Sequence, residues 1–176
     1  MKKIMVIGVS SGVGKSTFAR KLSKKLQIDV HHLDTLYWLP NWKESTEERF
    51  IHLQQDIIKQ PEWIIEGNYT STFPIRTAAA DTIIYLELPL STCLYRIFKR
   101  RIQFHKRSRP DIAEGCHEKI DWVFFKFIVT TYYRRKKKMH ERFRKYKDTK
   151  PNLKIITLRS SKEIAAFLTK GRTLEP

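Results

Sequence analysis

The run Gly8-Val9-Ser10-Ser11-Gly12-Val13-Gly14-Lys15-Ser16-Thr17 constrains this chain more than any other feature. It follows an apolar stretch, Ile4 to Ile7, that reads as a strand covered on both faces. It leads into a helical pattern carrying Phe18, Leu22 and Leu26. A strand, a glycine-rich turn and a helix in that order form an anion cradle. Glycine lets successive backbone amides turn inward, and the helix N-terminus adds its dipole and free N–H groups. The spacing predicts a phosphate-binding loop (P-loop) in which the backbone of Ser11, Gly12, Val13, Gly14, Lys15, Ser16 and Thr17 wraps a nucleotide's phosphates. Lys15 would reach the β- and γ-phosphates, and the Ser16 hydroxyl would ligate Mg²⁺. The usual pattern places a glycine where this chain has Val9, with Gly8 one position early.

The rest of the chain alternates apolar strands with helical patterns. Strands are expected at Ile28 to Leu33, Trp63 to Glu66, Thr82 to Leu88 and Leu153 to Leu158. Helices are expected from about Ser45 or Thr46 to before Pro61, over Phe73 to Ala80, from Ser91 to about Arg101, from Cys116 to about Tyr146, and from Ser160 to Leu168. That order predicts an α/β fold, a parallel sheet with helices on both faces. With 176 residues and no long linker, one domain spanning residues 1–176 is expected.

The formal net charge is +17, from 35 Lys and Arg against 18 Asp and Glu. Such a field favours polyanionic partners. The excess lies mainly between Arg96 and Lys154. The two cysteines, Cys93 and Cys116, make neither a disulfide framework nor a metal spacing, which suits a reducing cytoplasm. The window Trp122 to Tyr133 carries Lys126 and is too short to cross a bilayer, so no membrane segment is expected.

Among P-loop classes, GTPases need a guanine-reading Asn/Thr-Lys-x-Asp segment, which is absent here, and Glu66-Gly67-Asn68 is not their DxxG switch. The small-kinase class remains. Glu87, closing the fourth strand, can hold the water shell of Mg²⁺. Asp34, after the second strand, can take the proton of an acceptor hydroxyl, ligate the metal, or cap a turn. Trp38 and Trp42 can stack on a base or sugar, or simply pack. Asn68 and Arg76 follow the third strand and would face the same crevice, Arg76 as a fork for an anionic acceptor. A basic lid over about residues 100–116 would bring arginines to the transferring phosphoryl group, Arg107 and Arg109 among them.

Four segments, IGVSSGVGKST, HLDTLYWLPNW, WIIEGNY and RSRPDIAEGCHEKIDW, together resemble the bacterial DNA topology modulation proteins, relatives of adenylate and shikimate kinases. The resemblance runs from Met1 to about Trp122. It implies a five-stranded parallel sheet in the order 2-3-1-4-5, ATP binding and a kinase-like site, and the family's name implies an influence on DNA supercoiling. The resemblance also implies phosphate-loop roles for Gly12, Gly14, Lys15, Ser16 and Thr17, an acceptor-side role for Asp34, and lid roles around Arg107 and Arg109. With the residue reading above, the expected function is a small-molecule kinase that uses ATP and Mg²⁺ and transfers the γ-phosphoryl group to an acceptor.

A second reading rests on Arg134-Arg135-Lys136-Lys137-Lys138, with Arg142, Arg144, Lys145 and Lys147 beyond. Tyr132, Tyr133, Phe143 and Tyr146 interleave with these charges. The pattern suits contact with nucleic-acid phosphates, or a solvated basic helix. The alternative function is therefore an ATP-regulated nucleic-acid-binding protein.

Overall fold

A computed structural model describes residues 1–103 and 122–169. Strands β1 (Lys3–Gly8), β2 (Val30–His32), β5 (Trp63–Glu66), β6 (Thr82–Leu86) and β7 (Lys154–Leu158) form a parallel sheet in the order β2-β5-β1-β6-β7. With the two short strands of a side hairpin set aside, this is the expected order 2-3-1-4-5. The register places Met5 beside Ile65 on one side and Ile83 on the other. Ile4 to Ile7, Trp63 to Ile65 and Ile83 to Leu86 are fully buried. The near-continuous apolar strands therefore reflect a sheet covered on both faces.

The helices are α1 (Lys15–Leu26), α2 (Leu33–Tyr37), α3 (Glu47–Lys59), α4 (Phe73–Ala79), α5 (Leu90–Gln103), α6 (Trp122–Thr149) and α7 (Ser161–Thr169). Helix α3 starts where the sequence says it should. The Thr46 hydroxyl accepts the Arg49 N–H at 3.3 Å, and Glu47 and Glu48 complement the dipole. No helix among the described residues is long and apolar enough to cross a membrane.

Two local features depart from the sequence reading. The second strand is shorter than expected, and α2 follows it at once, so Asp34 sits on a helical first turn rather than at a strand end. The loop expected at Pro40 and Asn41 is the tip of an antiparallel hairpin, β3 (Trp38–Leu39) and β4 (Lys43–Glu44), pairing Trp38 with Glu44. Local pattern missed both, because two-residue strands and a five-residue helix are too short to show a period.

Candidate active site

The phosphate loop joins β1 to α1 as the sequence requires. Gly14 caps α1 at φ 96°, with no side-chain cap hydrogen bond and no acid in the helix's first turn. An uncapped helix start of this kind turns N–H donors toward an anion. Gly12 has φ 76°, and a Cβ there would stand 2.3 Å from the Cys93 carbonyl oxygen on α5. A Cβ on Gly8 would meet Val13 Cγ1 at 2.5 Å.

Helix α5 packs over this loop. Arg96 donates from Nη1 to the Val13 carbonyl at 2.9 Å and from Nη2 to Ser161 Oγ at 3.3 Å, tying the loop to the start of α7. A cavity of about 870 Å³ opens above, lined by the loop from Ser11 to Thr17, by α5 through Arg96, Lys99 and Arg100, and by α7 through Ile164 and Leu168. Asp34, Glu66, Trp38 and Trp42 complete its wall. Its size lies within the range of pockets that enclose small organic ligands.

Glu66 is the residue that the sequence reading passed over. It ends β5, the strand beside β1, and is 4% exposed. Its Oε1 stands 4.0 Å from Lys15 Nζ, and its Oε2 meets His32 Nδ1 at 2.8 Å. The available signal was a lone acid closing an apolar strand, WIIE, next to the strand that feeds the loop. Buried carboxylates are retained only when paired or when they hold a cation.

Asp34 accepts a hydrogen bond from the Tyr69 hydroxyl at 2.9 Å. Burial, reinforced by the Asp34 charge, pushes the Tyr69 phenol far above its ordinary value, so it remains a donor. Gly67, at φ 145°, makes this possible: a Cβ there would lie 2.7 Å from Leu33 Cβ. Only glycine lets α2 approach the end of β5 closely enough to place Asp34 and Glu66 on one cavity.

Three expected site residues are positioned for other work. Glu87, proposed at the metal, does not line the cavity. Tyr85, on β6, packs against His140 and Phe143 of α6, and Glu87, just past the end of that strand, also meets α6. There Glu87 meets Lys136 Nζ at 3.2 Å, Arg159 Nε at 3.4 Å and the His140 ring. Arg76, proposed as an anion fork, is fully buried. Its Nη1 donates to the Gly67 carbonyl at 3.0 Å and its Nη2 to the Tyr69 carbonyl at 2.6 Å, and burial lowers its pKa to about 10. Asn68 clips the start of the phosphate loop, its Oδ1 accepting the Gly8 N–H at 3.0 Å and its Nδ2 donating to the Gly8 carbonyl at 2.8 Å. The exit of β5 reads polar because it braces the loop. Arg107, Arg109 and most of the expected lid lie outside the described residues.

No family model matches the chain. The uncharacterized protein YqaC of Bacillus subtilis strain 168 is 31% identical over 117 residues, and the match spans 65% of this chain and 65% of that relative's length. Among solved structures, a sugar kinase from Janibacter sp. HTCC2649 superposes with a TM-score of 0.51 at 12% identity, covering 96% of this chain and 93% of the other. A gluconokinase from Sinorhizobium meliloti 1021 gives a TM-score of 0.51 at 13% identity, covering 95% and 91%. At these identities the likeness establishes the fold alone, an α/β sheet flanked by helices.

Proposed function

We propose that the cavity binds Mg-ATP and transfers the γ-phosphoryl group to a hydroxyl of a small acceptor. One observation carries this reading. The phosphate loop and two carboxylates from neighbouring elements, Asp34 and Glu66, line the same cavity. The backbone from Ser11 to Thr17 cradles the phosphates, Lys15 neutralises the β- and γ-oxygens, and the base lies toward Ile164 and Leu168 of α7. The Ser16 hydroxyl with the Glu66 carboxylate is a set of hard oxygen donors, which fits Mg²⁺. When bound, that ion neutralises charge on the β- and γ-phosphates. Glu66 takes the metal-side role first expected of Glu87.

In the transfer, the acceptor hydroxyl oxygen bonds to the γ-phosphorus while the bond from that phosphorus to the β,γ-bridging oxygen breaks. ADP departs with that oxygen, and the acceptor's proton passes to the Asp34 carboxylate. Tyr69 holds that carboxylate in place. Arg96, Lys99 and Arg100 supply positive charge to the phosphate tail, with Arg107 and Arg109 proposed to add to it. Asp34→Asn tests the base role: kcat should fall about 10²–10⁴-fold, with ATP binding retained. Unchanged turnover would remove Asp34 from the mechanism.

A second reading draws on α6, where Arg134, Lys137, Lys138, Arg144, Lys145 and Lys147 are exposed. They suit the phosphates of a nucleic acid, and the resemblance to DNA topology modulation proteins points the same way. Duplex DNA retention should then fall steeply with salt and weaken on neutralising Arg134, Lys137 and Lys138. Retention insensitive to both would dismiss it.

A further inference from the structure

Beyond the phosphate loop, the cavity has an aromatic wall whose chemistry restricts the acceptor. Trp38 and Trp42 flank the tip of the β3–β4 hairpin, their rings 5.2 Å apart and inclined at 74°. Both line the cavity. Trp42 has φ 63°, directly after Asn41 at φ 62°. A left-handed backbone is costly for a bulky side chain, and such strain concentrates at ligand clamps.

Trp38 is backed by Tyr37 at 5.0 Å, and Tyr37 in turn by Phe50 at 5.2 Å and Tyr69 at 5.0 Å. A wall supported in this way is held rigid before any ligand arrives. Among the described residues that line the cavity, the basic side chains come from the phosphate loop and α1 (Lys15, Arg20, Lys21) and from α5 (Arg96, Lys99, Arg100), whereas α2, which runs directly into the Trp38 strand, contributes the acid Asp34, with Glu66 from the end of β5. Carboxylates accept hydrogen bonds from hydroxyls and repel anions. Arg76, the nearby fork suited to a carboxylate or phosphate, points inward to the Gly67 and Tyr69 carbonyls.

We infer that the acceptor is an uncharged, polyhydroxylated ring compound. It packs its apolar surface into the corner that Trp38 and Trp42 make and offers a hydroxyl to Asp34, and it carries no carboxylate or phosphate. This rests on the phosphotransfer reading of the cavity. Free sugars and nucleosides share the required chemistry.

The test supplies Mg-ATP with glucose, ribose, adenosine or uridine, and in parallel with gluconate, glucose phosphate or uridine monophosphate. Product is followed by phosphorus NMR, and ATP binding by calorimetry. At least one neutral probe should be phosphorylated, its charged counterpart at least about tenfold less efficiently. The sugar and nucleoside arms decide the source. Trp38→Ala and Trp42→Ala should raise acceptor KM about tenfold with ATP affinity unchanged, and Trp42→Phe should recover most of the loss. Turnover confined to the anionic probes overturns the inference, as does an acceptor KM indifferent to both tryptophans. ATP binding without turnover of any probe also overturns it while leaving the nucleotide site standing. Failure to bind ATP at all removes the parent reading as well.

Discussion

Lys15 Nζ and Glu66 Oε1 face each other at 4.0 Å across the exits of two adjacent parallel strands, with His32 holding the far oxygen of the same carboxylate. Glu87, one strand further on, meets Lys136, His140 and Arg159 instead. The two buried acids therefore answer different questions when neutralised. Glu66→Gln should lower kcat about 10²-fold and raise the Mg²⁺ concentration needed for turnover. Glu87→Gln should leave the Mg²⁺ dependence unchanged. It should cost about 1–2 kcal/mol of stability, because its partners are partly exposed and regain water. Metal titration of activity and urea unfolding of both variants separate the roles.

Arg76 is a brace. Replacing it with Ala leaves the buried Gly67 carbonyl and the part-buried Tyr69 carbonyl without this donor. The expected loss is about 2–4 kcal/mol of unfolding free energy, read from the urea midpoint. An acceptor KM that rises with no change in stability would return Arg76 to the substrate.

Gly12→Ala combines a strained φ with a clash against the Cys93 carbonyl oxygen. The loop and the first turn of α5 must shift together. Nucleotide affinity should fall at least about tenfold, with about 1–3 kcal/mol of stability lost. The affinity change is measured by calorimetry and the stability change by thermal unfolding.

Tyr132 sets an alkaline limit. Its hydroxyl donates to the Leu88 carbonyl at 2.8 Å, and burial raises the phenol from 10.0 to about 12. An unfolded chain ionises first, so the stability Tyr132 contributes is complete below pH 10 and is lost as pH rises toward 12. Tyr132→Phe should flatten the fall in stability across that window, measured by denaturant unfolding at stepped pH.

What could be read from the sequence, and what could not, follows from the range of the interactions involved. The strands and the phosphate loop were legible because burial on both faces and a backbone cradle write themselves into consecutive residues. The choice between Glu66 and Glu87 was not, since both acids close apolar strands. What separates them is which strand lies beside β1 and where α6 packs, and both are long-range facts. Asn68 and Arg76 looked like site residues because polar groups after a strand usually are. Their partners are backbone atoms at Gly8, Gly67 and Tyr69, which no side-chain pattern announces. The tryptophan hairpin was visible only as a pair of aromatics flanking Pro40 and Asn41.

The account turns on whether the amides after β1, with Lys15, seat a nucleotide triphosphate. Isothermal titration calorimetry of Mg-ATP into the protein and its Lys15→Ala variant tests this most directly. The wild-type chain should bind with one site, and the variant at least about tenfold more weakly, the scale of one lost charge-assisted contact. No measurable heat with the wild-type chain, or equal affinity in the two, would contradict it.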